Sequence, residues 1–160
     1  GISAMDTNTL AIRYANTLNI RDTNTLTVSP GYRFADPYYY LGQMFEEGQG
    51  IQQNYREAAS WYRKAAERGD ISSAYSLGVL YHKALGVQQD YQKAAAWYRV
   101  AAEKGHADAL YNLGVFLENG YLLRDGIRLY DRKLAMKYFS LAAKRLHVEA
   151  KQKLKELGLN

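Results

Sequence analysis

The sequence predicts an all-α fold in which pairs of helices stack against one another. The first observation is a recurrence, since WYRKAAERG at 61–69 returns as WYRVAAEKG at 97–105. The second is that the whole segments 35–70 and 71–106 align without a gap. The third is that apolar residues inside each segment recur at helical spacing. Because a sequence period of about 20 to 50 residues is typical of repeat architectures, we expect an α/α solenoid of about three helix pairs.

Each repeat contains two helical patterns. The first helix is predicted from a triplet at i, i+1 and i+4, which lies on one helical face. The second helix is predicted from a stripe at i, i+3, i+4, i+7 and i+8, in which small residues beside large rings let two helices approach closely. The first-helix triplets are Leu41, Gly42 and Phe45, then Leu77, Gly78 and Tyr81, then Leu113, Gly114 and Leu117. The second-helix stripes are Ala58, Trp61, Tyr62, Ala65 and Ala66, then Ala94, Trp97, Tyr98, Ala101 and Ala102, then Ala135, Tyr138, Phe139, Ala142 and Ala143.

Residue types at the ends of the second helix agree with this division. Gly69 and Gly105 fall where a helix ends on a left-handed residue. Asn54, Asp90 and Asp131 fall where the second helix needs an N-cap acceptor. The repeats defined in this way are 35–70, 71–106 and 107–147, followed by a cap at 148–160.

The third repeat differs from the others between its two helices. It is longer by five residues, at about 123–127, and Leu122 stands where Gly50 and Gly86 stand in the earlier repeats. We expect a long loop here that exposes apolar and basic groups, and recognition often lies on such loops.

The end of the chain predicts a capping helix at 148–157, because a stack of repeats needs a different surface at its ends. Its inward stripe is predicted to contain Ala150, Leu154 and Leu157, and its outer side Lys151, Lys153 and Lys155.

Residues 1–34 form a separate N-terminal extension in this scheme. The tripeptide NTL occurs three times there at a spacing of eight residues. Alternation of apolar and polar residues favours short strands or an irregular, extended segment, although Leu10, Tyr14 and Leu18 also fit one helical face. Since the extension has no evident core of its own, we expect it to dock on the solenoid, to pair with a partner or a second copy, or to stay mobile.

Composition excludes several classes of protein. The chain of 160 residues has no cysteine, which rules out disulfides, zinc-thiolate sites and thiol catalysis. No stretch approaches the ~20 apolar residues that span a bilayer. No signal-peptide pattern begins the sequence, but GISAM is typical of a tag remnant, so a native leader could have been removed and the compartment stays open. The formal net charge of +5 is concentrated in residues 121–160, which hold 10 basic and 4 acidic side chains.

Residues suited to catalysis or metal binding are sparse. His82, His106 and His147 are far apart in sequence, and the latter two stand beside helix ends, where a positive side chain suits the local dipole. The GQG at 48–50 lacks the Lys-Ser/Thr of a phosphate loop and is predicted to be a turn between helices. No serine lies in a G-x-S-x-G context. We therefore expect no enzyme activity, no cofactor, no metal and no small-molecule substrate.

The repeats closely resemble the Sel1-like repeat family, a relative of the tetratricopeptide repeats. The resemblance extends from about Ala35 to the C-terminus and is densest at 71–105. The matching residues there are Leu77, Gly78, Tyr81, Gly86, Val87, Asp90, Lys93, Ala94, Trp97, Tyr98, Ala101, Ala102 and Gly105. The resemblance implies a right-handed solenoid that binds proteins or peptides, as an adaptor, assembly factor or inhibitor, and rarely catalyses a reaction. Bacterial members are often periplasmic or envelope proteins, which favours that location over the cytoplasm. The Helicobacter members carry disulfides, which this chain cannot form.

By analogy with tetratricopeptide grooves, one face of the first helices is expected to line a concave groove, which is the predicted partner-binding site. Tyr39, Tyr75 and Tyr111 recur with the repeat, so we expect them to form a column. Tyrosine gives a large contact area with little side-chain entropy to lose, although the column could equally serve only to pack one repeat on the next. The predicted partner-binding residues are Tyr39, Tyr40, Gln43, Glu47, Tyr75, Ser76, Val79, Lys83, Tyr111, Asn112, Val115 and Asn119.

The basic C-terminal quarter suggests an alternative function, in which the chain binds nucleic acid or an acidic membrane surface. The other interpretation is a solvated face that keeps this end soluble, and the modest net charge favours it. The residues concerned are Arg124, Arg128, Arg132, Lys133, Lys137, Lys144 and Arg145, interleaved with Tyr130 and Tyr138.

Overall fold

Short helices of similar length follow one another through residues 36–145 and 147–159, the part of the chain that this computed structural model describes. The predictions for 1–34 lie outside the described residues. Within the described ranges the fold is mainly helical, as predicted, with one two-stranded hairpin. The elements are α1 (Pro37–Glu47), α2 (Tyr55–Glu67), α3 (Ile71–Lys83), α4 (Tyr91–Glu103), α5 (Ala107–Asn119), β1 (Leu122–Arg124), β2 (Ile127–Leu129), α6 (Arg132–Lys144) and α7 (Val148–Glu156).

Each helix packs mainly on the helix before it and the helix after it. The pairs α1/α2, α3/α4 and α5/α6 are the three repeats, and α7 packs on α6. A continuous core passes through all three pairs, and the half-buried Trp61 and Trp97 pack against it in equivalent positions. The stack of helix pairs predicted from the sequence period is therefore confirmed.

Within a pair, an aromatic ring of the second helix lies on a glycine of the first. Tyr98 is fully buried, and a Cβ atom on Gly78 would lie 2.6 Å from two of its ring carbons. Phe139 lies on Gly114 in the same way, where the corresponding distance is 2.5 Å. Only glycine leaves room for this approach, which explains the Leu-Gly pair in every first helix.

The predicted caps of the second helices are confirmed. Asn54, Asp90 and Asp131 each accept a hydrogen bond from the backbone N–H three residues later, at 2.9 to 3.1 Å. Gly69 and Gly105 have φ values of 95° and 86°, in the left-handed region. The GQG at 48–50 lies in the connection between α1 and α2, as expected.

The prediction that His106 and His147 stand at the negative end of a helix dipole is wrong, because each stands at a helix N-terminus. Each is the N-cap of the helix that follows, α5 and α7, and its Nδ1 accepts a hydrogen bond at 3.2 Å from the backbone N–H of Ala109 and Ala150 respectively. A helix N-terminus disfavours a cation, and at His106 an accepting Nδ1 carries no proton. Burial accordingly lowers the pKa of His106.

The predicted long loop of the third repeat is instead a hairpin. Asp125 and Gly126 both have positive φ, which a type I′ turn requires, and Arg124 pairs with Ile127 across it. The apolar exposure expected here is confirmed, since Leu123 and Ile127 are 51% and 72% exposed. The hairpin is held to the solenoid at its base by the buried Leu122 and packs beside α4.

The cap helix α7 lies almost where the sequence predicts it. Ala150 is fully buried, and Leu154 and Leu157 pack against the core. The prediction that Lys153 lies on the outer side is wrong, because its Nζ lies 2.8 Å from Glu118 Oε2 and its side chain is only 26% exposed. This ion pair joins α7 to α5.

Candidate functional site

The twelve predicted partner-binding residues lie on the same side of α1, α3 and α5. In α3, Leu77 and Gly78 are buried, while the spacing of Tyr75, Val79 and Lys83 places them on the opposite side of the helix. None of the twelve is buried, and the three nearest the helix ends, Glu47, Lys83 and Asn119, are exposed. We call these twelve positions the first-helix face.

Polar side chains of the first-helix face lie beside tyrosines of the neighbouring repeat. Asn112 in α5 lies near the hydroxyls of Tyr75 and Tyr98 in the repeat before it. Ser76 in α3 lies in the equivalent place beside the Tyr62 hydroxyl. Equivalent positions of successive repeats are thus in register.

The tyrosine column packs within each repeat, and in two repeats it packs against the histidine that caps the helix of the next unit. The Tyr75 ring stacks on His106 at a centroid distance of 4.4 Å, and Tyr111 stacks on His147 at 4.7 Å. Tyr39 lies 5.8 Å from the Tyr62 ring of its own repeat. The tyrosines therefore have a packing role at the ends of their own repeats, and a role of the column in binding stays a prediction.

The polar groups beside the face are mostly neutral or paired. The Tyr62 hydroxyl donates to a carboxylate oxygen of Glu46, and burial raises the pKa of Tyr62. The Tyr98 hydroxyl lies 3.2 Å from His82 Nδ1, and burial together with Lys83 lowers the pKa of His82. With one acid and one base, Glu47 and Lys83, among its twelve residues, the face has no net charge.

The histidines serve packing and capping in the described residues. His82 lies edge-on to Phe116 at 4.8 Å, whereas His106 and His147 are N-caps. Within 36–145 and 147–159, no group of three or more His, Asp or Glu side chains could hold a metal ion. In those same ranges, no helix has the length and apolar character needed to cross a membrane.

The basic side chains behind the alternative function are exposed. Arg124 and Arg128 lie on the hairpin, whereas Lys133, Lys137 and Lys144 lie on α6. Binding of nucleic acid or acidic lipid through them stays a prediction.

Sequence reasoning missed a concave site at the C-terminal end of the repeats. A cleft of about 280 Å³ lies among α5, α6 and α7, with Glu118, Arg132, Phe139 and Leu157 in its walls. Tyr130, which follows the hairpin and is 63% exposed, also lines it. We call it the C-terminal cleft. Its only sequence signal is that Arg132 replaces a tyrosine present in both earlier repeats, Tyr55 and Tyr91.

Comparison with known proteins identifies the repeats. The family model of the Sel1 repeat matches residues 38–70, 71–106 and 107–145. No curated protein matches the sequence significantly.

Solved structures share the fold. A Sel1 repeat protein from Oxalobacter formigenes is 28% identical with a TM-score of 0.69, over 89% of this chain and 98% of that one. A protective antigen of uropathogenic Escherichia coli strains with an SLR fold is 24% identical with a TM-score of 0.73, over 94% of this chain and 32% of that one. Cysteine-rich protein B of Helicobacter pylori is 23% identical with a TM-score of 0.58, over 72% of this chain and 90% of that one.

Proposed function

The chain belongs to the Sel1 repeat family, and we propose that it binds a protein or peptide partner on its first-helix face. Sel1 repeats generally mediate protein–protein interactions, and the family is one of non-catalytic scaffolds. The chain then acts as an adaptor, assembly factor or inhibitor rather than as an enzyme. We also propose a periplasmic or envelope location, in keeping with many bacterial members.

The observation that supports this proposal most is that each first helix has one side in the core and an opposite side that is accessible. One side of α3 holds Leu77 and Gly78 in the core, and the other side presents Ser76, Val79 and Lys83 half-buried or exposed. The same division recurs on α1 and α5, so a partner would meet three equivalent rows of side chains. An aromatic surface with mixed polar groups and no net charge suits an uncharged or mixed-charge peptide better than a polyanion.

The proposal is tested by affinity purification with a face variant and a matched control. Gln43→Arg with Lys83→Glu changes two non-core positions on the face. Ser60→Arg with Arg99→Glu makes equivalent charge changes at exposed positions of α2 and α4.

We expect the face variant to lose the proteins that copurify with the wild type, while the control variant retains them and both melt within about 2 °C of the wild type. Loss of the partner from the control variant alone, or its retention by the face variant, would contradict the proposal.

A further inference from the structure

The C-terminal cleft has a counterpart in the second repeat, where a side chain fills it. Tyr121 stacks on Tyr91 at a centroid distance of 4.7 Å and 11°, and contacts Phe116 edge-on at 5.4 Å. His82 lies 6.5 Å from the same ring. Glu118, Arg132, Phe139 and Leu157 of the C-terminal cleft occupy the repeat positions of His82, Tyr91, Tyr98 and Phe116 respectively.

The first repeat has the same arrangement with a smaller side chain. There the occupant is the segment 85–87, in which Leu85 and Val87 pack against the core. Gly86 between them passes so close to α2 that a Cβ atom would lie 2.3 Å from the carbonyl carbon of Tyr55.

Both occupants belong to the repeat that follows, where 85–87 is a bend at Gly86 and 122–123 begin the strand β1. Residues 121–123 read Tyr-Leu-Leu, with Leu122 buried, and 85–87 read Leu-Gly-Val. The Leu123 carbonyl accepts a hydrogen bond at 3.3 Å from Gln92 Nε2, near the start of α4. In both earlier repeats, therefore, the counterpart of the C-terminal cleft is filled by a largely apolar side chain, and the backbone that carries this side chain passes over the start of the second helix.

In the third repeat, the C-terminal cleft has basic residues where its counterpart in the second repeat has uncharged ones. Arg132 and Lys133 begin α6 where Tyr91 and Gln92 begin α4. A guanidinium stacks on aromatic rings and also pairs with carboxylates, so Arg132 can replace the ring of Tyr91 and add an anion preference. Glu118 does not cancel this preference, since it is paired with Lys153 at 2.8 Å.

The size of the cleft limits its occupant. At about 280 Å³ it is below the roughly 300 to 1,000 Å³ of sites for drug-sized ligands. Its buried wall is apolar, formed by Leu117, Ala135 and Phe139, and its rim includes the exposed Tyr130. One large side chain with its flanking backbone fits such a space.

We infer that the C-terminal cleft binds an extended segment of a partner protein that presents an aromatic side chain next to a carboxylate. The aromatic ring takes the place that Tyr121 takes one repeat earlier, stacked on Arg132 and against Leu157. The carboxylate lies near Arg132 and Lys133. This site is separate from the first-helix face and does not depend on the proposed function.

The experiment uses a peptide copied from the internal occupant. Fluorescein-labelled NGYLLE contains residues 119–123 followed by a glutamate, and NGSLLE is its control without the ring. Binding to the 160-residue chain is measured by fluorescence anisotropy. We expect saturable binding of NGYLLE in the micromolar to millimolar range. NGSLLE should bind at least about tenfold more weakly, because it lacks the aromatic ring that is stacked and buried in the cleft.

Three variants locate the binding. Arg132→Ala removes the stacking group, Leu157→Trp fills the cleft, and Lys137→Ala removes an exposed charge elsewhere on α6. We expect at least about fivefold weaker binding for the first two and a change below about twofold for Lys137→Ala. Lys83→Glu on the first-helix face is expected to leave peptide affinity unchanged, which separates this test from that of the proposed function.

Several results would overturn the inference. They are equal affinity for the two peptides, no saturable binding of NGYLLE up to about 1 mM, or equal losses in Arg132→Ala and Lys137→Ala. Sedimentation with phosphatidylserine vesicles that depends on Arg132 while peptide binding does not would assign the site to lipid instead. A dimer in sedimentation velocity that Leu157→Trp abolishes, without peptide binding by the wild type, would assign it to a second copy.

Discussion

Gly78→Ala tests the contact that holds a helix pair together. In a free helix, alanine is more favourable than glycine by about 1 kcal/mol. At this position the new Cβ atom would lie 2.6 Å from two ring carbons of Tyr98 and 3.2 Å from the Ala94 carbonyl oxygen. The ring is fully buried, packs 5.6 Å from Phe116, and has its hydroxyl 3.2 Å from His82 Nδ1, so it cannot turn aside alone.

The expected magnitude follows from these two opposing effects. Overpacking of a core costs about 1 to 3 kcal/mol, and the fixed ring places this site near the upper end. After the gain in helix propensity is subtracted, Gly78→Ala should lose about 1 to 2 kcal/mol of unfolding free energy. For a chain of this size, that lowers the melting temperature by about 2 to 8 °C.

Urea unfolding followed by circular dichroism measures the effect, with Ser60→Ala at an exposed position of α2 as the control for propensity alone. The control should be as stable as the wild type or slightly more stable. In a Tyr98→Leu background the shorter side chain leaves room for the Cβ atom, so Gly78→Ala should become neutral or stabilising there. A Gly78→Ala single variant as stable as the wild type would refute the reasoning.

Three further predictions concern stability, and the same unfolding assay checks each. Burial lowers the pKa of His106 in the folded chain, so the unfolded chain binds more protons as the pH falls. The stability that neutral His106 contributes is therefore complete above about pH 6.5 and is lost as the pH falls toward the folded-state pKa. His106→Asn, which keeps a cap acceptor, should flatten this dependence, and an unchanged pH profile would contradict it. Asp36→Ala should cost about 1 to 2 kcal/mol, because the carboxylate caps α1 and accepts from Arg68 Nε at 2.6 Å; an unchanged urea midpoint would rule this out. Gly86→Ala should cost more than Gly126→Ala, since both have left-handed φ but only the Cβ at 86 meets backbone atoms, and equal losses would argue against the close approach.

The helix pairs and their core were predictable because they depend on local spacing. Leu77, Gly78 and Tyr98 recur at fixed intervals, and each interval places a side chain on a definite helical face. Periodicity therefore identifies both the helices and the faces that pack. The same spacing placed Val79 and Lys83 on the opposite face.

The hairpin of the third repeat had a signal that the repeat alignment obscured. An Asp-Gly pair at 125–126 between apolar residues is a strong short-range indication of a two-residue turn. The earlier repeats have no strands at this position, so their example predicted a loop.

The prediction for His106 failed because it assigned this residue to the end of α4, whereas it is the N-cap of α5. Asp70 holds the equivalent place one repeat earlier and caps α3 with its carboxylate, which was the available sign that His106 begins α5. Its accepting Nδ1 and its stacking on Tyr75 depend on ring orientation, which spacing does not determine. The C-terminal cleft was beyond sequence reasoning for a similar reason, because its walls come from three helices.

Site-specific photo-crosslinking tests most directly the claim that a partner lies on the first-helix face. A benzophenone amino acid is placed singly at Gln43 and Lys83 on the face, and at Ser60 and Arg99 on the exposed sides of α2 and α4. After irradiation of cells, crosslinked proteins are identified by mass spectrometry. We predict that one and the same partner is captured from positions 43 and 83 and not from 60 and 99. Capture of that partner only from 60 and 99 would contradict the claim.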